Sequence, residues 1–247
     1  MGSRLNANLQ RFGALSAAEA QAVDELIGAS RLAAPGEDMA AEGDPAGPCR
    51  VLIEGQAFRH KTLPDGRRQI LAFLIPGDII DLPGVFLNLD HSVTALGACE
   101  LGSIPRTRLD ALMQGAPAIS HALWRTSQME LAIAREWMVG MGRRSAYSRI
   151  AHLFCEMIVR LGSVGLVSGY RCTFPVTQQH LSDALGLSAV HTNRTLQALR
   201  REGLLSFQAG ELTVLDWPAL QEAGEFDHTY LHLAGRPPRQ SLTSARA

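Results

Sequence analysis

Residues 177–215 read TQQHLSDALGLSAVHTNRTLQALRREGLLSFQAGELTVL. Thr177 follows Pro175-Val176 and precedes Leu181, Ala184 and Leu185 on one face, the pattern of a capped amphipathic helix. The small residues Ser182 and Ala184, beside Asp183, let a second helix cross closely. Gly186 stands where a left-handed backbone angle would end the first helix. Ser188 then caps a second one, which runs to about Glu202 and stops at Gly203. On it Thr192, Thr195, Leu196 and Leu199 recur at inward-facing spacing, leaving Ala189, Val190, Asn193, Arg194 and Gln197 on the other side. Two strand-like runs follow, Leu204–Phe207 and Glu211–Leu215, joined through Ala209-Gly210. Two short helices and a hairpin in this order outline a winged helix-turn-helix, a module that places one helix in the major groove of double-stranded DNA.

The outward residues suit that task. Arg194 can fork onto a guanine, Asn193 or Gln197 can pair with an adenine, and Ala189 or Val190 can rest on a thymine methyl. Thr177, Gln179, Ser188, His191, Arg200 and Arg201 are placed to hold phosphates, which fixes register without reading sequence. An amphipathic hairpin inside an all-α core would show the same periodicity, so the charge distribution matters. Residues 142–207 carry eight Arg against three acidic residues, whereas residues 1–141 carry twelve basic against sixteen acidic. The net charge of −1 for the whole chain conceals this basic reading head on an acidic partner.

The length of 247 residues suits two domains, and a hydrophobic content of 46% supplies their cores. The expected division is a sensor domain over 1–114, a connecting helix over 115–142, the reading domain over 143–222 and a tail over 223–247. No run is apolar enough to span a membrane and the N-terminus lacks a signal-peptide pattern, so a cytoplasmic protein is expected. Cysteines at 49, 99, 155 and 172 form no CxxC pair, which argues against a structural zinc site and, in a reducing compartment, against disulfides. No metal or cofactor is expected. No nucleophile–base arrangement, phosphate loop or close carboxylate pair points to an enzyme.

Between Leu32 and Pro105 the pattern changes to short β-type runs: Val51–Glu54, Gln56–Lys61, Arg68–Leu74, His91–Ala95 and Cys99–Ile104. Asp65-Gly66 closes a hairpin, and glycines punctuate the stretch at roughly ten-residue intervals, as a small barrel or β-roll requires. PGE at 35–37, VLIEGQAFR at 51–59 and DGRRQILAFLIPGDII at 65–80, with the C-terminal motif, resemble the Crp/Fnr superfamily of bacterial transcription regulators. The resemblance covers about Leu32 to Trp217. It implies an α+β fold: an N-terminal double-stranded β-roll of the cyclic-nucleotide-binding type, a long dimerisation helix, and a C-terminal winged helix-turn-helix. It implies a homodimer on palindromic DNA, with RNA polymerase as a partner and a small-molecule effector as a further candidate.

The chain departs from that pattern in two places. Cyclic-AMP-binding members of the family hold the phosphate with a Gly-Glu pair and an Arg-Ser pair, and here Leu89 and Asp90 occupy the Arg-Ser positions. No Arg or Lys occurs between Arg68 and Arg106. Cyclic AMP and cyclic GMP are therefore not the expected ligands, and the missing N-terminal cysteine cluster speaks against an iron–sulfur sensor. The family's Arg-Glu-x-x-x-Arg reader becomes Ala189-Val190-x-x-x-Arg194, so only the last Arg carries over.

Several residues remain as candidates for sensing. Ile79, Leu82, Leu89 and Asp90 could border an effector pocket, or the segment could be plain packing. His60 and His91 could ligate a haem iron, and Cys99 could be a redox switch, although lone strand histidines and core thiols are more often structural. Cys155 falls on the apolar face of its helix and reads as core. The long helix from Pro117 to about Met141 places Ile119, Leu123, Ile133 and Trp137 at a/d spacing, the expected dimer seam, interrupted at Thr126 and Glu130. Gly140 and Gly142 suggest a hinge before Arg143-Arg144. The leading reading is a homodimeric transcription regulator. A haem- or redox-sensing regulator is the alternative, and a ligand-binding or protein-interaction module without specific DNA binding stands in a different class.

Overall fold

The computed structural model describes residues 3–11, 14–82 and 86–233. Two short helices open it, α1 (Arg4–Gln10) and α2 (Ala17–Leu26), capped by the hydroxyls of Ser3 and Ser16. Seven strands follow: β1 (Ser30–Ala33), β2 (Asp38–Ala40), β3 (Cys49–Glu54), β4 (Ala57–Thr62), β5 (Arg68–Leu74), β6 (Ser92–Ala95) and β7 (Cys99–Ile104). They pair antiparallel in two sheets, β1-β7-β3 and β2-β6-β4-β5. Leu52 and Leu101 from one sheet meet Leu74 and Val93 from the other in one dry core. This is the expected β-roll. Strands β1 and β2 were not anticipated, because SRLA and DMA, at four and three residues, are too short to show alternation. His91 lies just before β6, outside the strand expected to contain it.

A second core seals the roll from below, where Leu5, Leu9, Val23 and Leu26 pack on Val51, Ile79, Ile104 and Ile119. Helix α3 (Arg106–Gly115) then leads through Ala116 into α4 (Pro117–Arg143), a single helix of 27 residues. It runs straight through Gly140 and Gly142, so the break before the next helix falls at Arg144-Ser145 and not at the glycines.

The expected seam of α4 requires correction. Ile119 and Leu123 are buried in the core beneath the roll, and Ile133 and Trp137 in the core shared with the C-terminal half. A side chain already desolvated inside its own chain has no surface left for a partner. The face that α4 leaves open carries Trp124, Leu131 and Met138, which are 64%, 47% and 58% exposed and spaced by seven. Thr126 and Glu130, read as interruptions, have intramolecular roles. The Thr126 hydroxyl donates to the Ala122 carbonyl at 3.0 Å, and Glu130 accepts from the buried Arg59 guanidinium at 3.0 Å.

Helix α5 (Ala146–Ser163) is buried nearly all round and forms the middle of the third core. Phe73 of β5 stands edge-on to Phe174 at 5.1 Å and lies 5.9 Å from Trp137, so the β-roll, α4 and the C-terminal half share one aromatic contact. Beside it the fully buried Glu156 accepts hydrogen bonds from Trp137 Nε1 at 3.0 Å, Tyr230 Oη at 2.9 Å and Arg160 Nη1 at 3.1 Å. Arg160 also donates to Asp78 and to the Phe73 carbonyl. Every one of these charges is paired, as burial requires. Burial and the neighbouring Glu156 carboxylate push the Tyr230 hydroxyl up. Tyr230, with the buried Phe226 and Leu231, shows that the chain through residue 233 belongs to the folded body, so the expected tail does not begin at 223. The part of that tail from 234 on lies outside the described residues.

Candidate nucleic-acid interface

The reading head is built on helices α6 (Gln178–Leu185) and α7 (Ala189–Arg201), a sheet β8-β10-β9 of strands β8 (Arg171–Thr173), β9 (Leu205–Gln208) and β10 (Glu211–Val214), and a closing helix α8 (Trp217–Ala223). Thr177 caps α6 by accepting from the His180 N–H, and His180 Nδ1 accepts from the Thr177 N–H in return. Gly186 ends α6 at φ +61°, the left-handed geometry expected of it. Ser188 caps α7 by accepting from the His191 N–H. Ala209 and Gly210 both have positive φ, the two-residue turn that suits a tight hairpin, so the wing is as foreseen. Strand β8 is an addition, three residues long and mostly exposed, below what periodicity reveals.

Helix α7 buries Thr192, Thr195, Leu196 and Leu199 and no other residue, matching the inward face inferred from spacing. Burying the two leucines contributes roughly 1.5–3 kcal/mol each. Beneath them the Thr192 and Ser182 hydroxyls bond at 2.9 Å and set the helix crossing. Ala189, Val190, Asn193, Arg194 and Gln197 all lie exposed on the far side, with Val190 at 77%. Arg194 and Gln197 make no hydrogen bond or ion pair among the described residues. Asn193 makes one, to Gln178 of α6 at 3.1 Å, a partner that the sequence did not suggest.

The phosphate-holding set divides. Thr177, Ser188, His191 and Arg201 are exposed at the ends of the two helices. Arg200 is half-buried, and its guanidinium donates to the Phe207 carbonyl, tying α7 to the wing. It is corrected to a structural role, because the hairpin strand returns within reach of the last turn of α7. Gln179 donates to Asp183 at 2.6 Å and lines a polar cleft of about 820 Å³ between α6 and the β-roll. Across that cleft Arg68 of β5 grips Asp183 through Nε and Nη2 at 2.9 and 2.8 Å, and Gln69 donates to the Ala184 carbonyl. The ring of His180 lies 5.1 Å from that of Phe58.

A cavity of about 630 Å³ lies between β5, α4 and the segment after Ile80. Leu82 and Asp90 line it as expected; Ile79 and Leu89 do not, being packed into the two cores of the roll. Both cations at its wall, Arg59 and Arg160, are held by Glu130, Glu156 and Asp78. The exposed Asp90 carboxylate is kept below its usual range by the hydrogen bond from His91. His60, the other candidate ligand residue, bonds through Nε2 to the Thr94 hydroxyl. All four cysteines are buried free thiols; desolvation raises Cys99, and burial next to Glu211 pushes Cys172 up to about 12. Among the described residues no helix is long and apolar enough to cross a membrane.

Comparison with known proteins agrees with this architecture. Residues 31–116 match the family described as "Cyclic nucleotide-binding domain" and residues 148–223 the "Crp-like helix-turn-helix domain". The transcriptional activator protein FnrL of Cereibacter sphaeroides is 31% identical over 179 residues, covering 70% of this chain and 72% of its own. The nitrogen fixation regulation protein FixK of Bradyrhizobium diazoefficiens is 32% identical over 190 residues, covering 76% and 78%. The solved structure of FixK2 from Bradyrhizobium japonicum superimposes with a TM-score of 0.73 at 26% identity, covering 80% of this chain and 98% of that one. A β-roll, a connecting helix and an open reading helix in this order, with relatives at this level of identity, make the chain a DNA-binding transcription regulator of the Crp/Fnr family, not an enzyme.

Proposed function

We propose that this regulator works in the cytoplasm as a homodimer on a palindromic operator, with α7 entering the major groove of each half-site. The observation that carries the proposal is the division of α7 into a fully packed inner face and an outer face whose Arg194 is free to meet a base. The exposed α4 stripe of Trp124, Leu131 and Met138 is assigned as the dimer seam, since family members act as dimers and a lone half-site contact binds weakly. Ala189 and Val190 supply apolar contacts only; Thr177, Ser188, His191 and Arg201 fix register on phosphates.

A cyclic nucleotide is not the assigned effector. The cavity offers an anion the exposed Asp90 carboxylate, and its two guanidiniums are already neutralised by internal acids. An effector entering there would be an uncharged, largely apolar molecule, given the lining of Leu71, Leu82, Phe86 and Met113. RNA polymerase is the partner through which operator binding would reach transcription. The test is selection of bound duplexes from a random pool by the purified chain without added ligand. Enrichment of a palindrome is the expected result; salt-sensitive binding without enrichment would overturn constitutive specificity.

A further inference from the structure

Gln178 is the first residue of α6, outside the helix that reads bases, yet its side chain is fixed to the reading face. Its Oε1 accepts from Asn193 Nδ2 at 3.1 Å. The backbone at each end of this amide pair is also held. The Ser182 hydroxyl donates to the Gln178 carbonyl at 2.9 Å and accepts from the buried Thr192, the neighbour of Asn193, at 2.9 Å. A chain of hydroxyls inside the helix crossing therefore sets the distance between residues 178 and 193. The amide–amide bond outside it makes the two side chains one unit.

That bond changes what Asn193 offers to DNA. A lone Asn pairs with adenine by accepting from N6 and donating to N7. Here one N–H of Asn193 is engaged by Gln178, while Asn193 Oδ1, the second Asn193 N–H and both N–H groups of Gln178 Nε2 make no other bond among the described residues. The pair thus presents an acceptor and one remaining donor on α7 and two further donors on α6. We infer that Gln178 is a specificity-determining residue: Gln178 and Asn193 together read one purine, Oδ1 accepting from an exocyclic amino group and Nε2 donating to a ring nitrogen or neighbouring acceptor. The pattern fits adenine and disfavours guanine, whose O6 would face the Oδ1 lone pairs. Arg194, next along α7, keeps its own guanine contact. The inference rests on the operator-reading function proposed above.

The experiment compares full-length wild type, Gln178→Ala, Asn193→Ala and the double variant, each selected against a random duplex pool. Each is then measured on the enriched operator and on single-base replacements of it. Gln178 is exposed, so folding is checked only by an unchanged melting curve. The expected result is that Gln178→Ala and Asn193→Ala relax preference at the same position by roughly ten-fold, and that the double variant adds nothing further. An unaltered Gln178→Ala motif would overturn the inference, as would an equal loss of affinity on every sequence, the behaviour of a phosphate contact. Should wild type enrich no sequence at all, the operator-reading function itself would fall, which is a separate and recognisable outcome.

Discussion

Helices α7 and α4 are both amphipathic, and both have a task assigned to their outer face, but they respond differently to the same reading. In α7 one stripe at helical spacing, Thr192, Thr195, Leu196 and Leu199, is the buried one, and the exposed Ala189 and Val190 in its first turn form no second stripe. In α4 there are two apolar stripes. Ile119, Leu123, Ile133 and Trp137 pack inside the chain, whereas Trp124, Leu131 and Met138 stay open. Periodicity reports that a stripe exists; it does not report which neighbour covers it. A helix with one dry face can be oriented from sequence, and one with two cannot, because the choice depends on which domain folds back upon it.

The strongest way to break this comparison is to exchange the two stripes of α4. Ile133→Ala should cost about 2–5 kcal/mol of folding stability, through lost burial plus the cavity left behind, with the oligomeric state unchanged. Leu131→Glu should leave the urea midpoint nearly unmoved, yield a monomer in sedimentation, and weaken operator binding by about a hundred-fold through loss of the second half-site. Should Leu131→Glu remain dimeric while Ile133→Ala dissociates, the face assignment would be reversed.

Helix α7 admits a sharper test because its outer face carries cations of different kinds. Arg194→Ala should lose ~1–3 kcal/mol at one base position only, whereas Arg201→Ala should weaken all duplexes alike and lower the salt slope by about one. Arg200→Ala, although it sits beside Arg201, should act on stability, since its guanidinium holds the Phe207 carbonyl of the wing. Titration of each variant on cognate and shuffled duplexes at two salt concentrations separates the three. Equal behaviour of Arg200→Ala and Arg201→Ala would restore Arg200 to the phosphate set.

What was legible follows the same line. Both ends of α6 and the start of α7 were readable because Thr177, Gly186 and Ser188 act locally, through a hydroxyl cap or a positive φ. The β-roll was readable from β3 to β7, whereas β1 and β2, and β8 beyond the roll, are three or four residues long and carry no alternation of their own. The Arg68–Asp183 clasp and the Gln178–Asn193 bond join residues far apart in the chain or on different helices, so no local pattern announces them. Leu82 and Asp90 were placed at the cavity by position alone; Ile79 and Leu89 missed it because each is packed into a core of the roll, a choice made by tertiary contacts in an irregular segment.

A smaller effect is expected at the elbow between the two helices. Gly186 holds φ +61° with open space where a Cβ would stand, so Gly186→Ala should cost only the backbone term, about 1–2 kcal/mol. Thermal unfolding of the variant gives this directly. A much larger loss would mean that α7 is positioned by contacts at the elbow as well as by the crossing beneath it.

The least effect, and the one that tests whether sensor and reading head stay coupled, is expected from acid. His60 and His180 flank Phe58 where α6 meets the β-roll. Both imidazoles are held below their ordinary value near 6.5, first by burial and then by the Arg68 guanidinium. Asp183 opposes the shift at both sites; at His60 Asp38 also opposes it and His91 adds to it. A histidine whose folded value is lowered takes up its proton more readily in the unfolded chain. The stability it confers is therefore complete above about pH 6.5 and declines as the pH falls through the folded value. Urea midpoints should be higher at about pH 7.5 than at about pH 5.5. In His180→Gln the difference should shrink, since glutamine at the third helical position retains the reciprocal cap with Thr177 but does not titrate. Protonation would place a second cation beside Arg68, which already bridges to Asp183, and so loosen α6 from the sensor while leaving the outer face of α7 unchanged. An undiminished pH dependence in His180→Gln would move the titration to other groups, His152 first among them, since burial lowers it too.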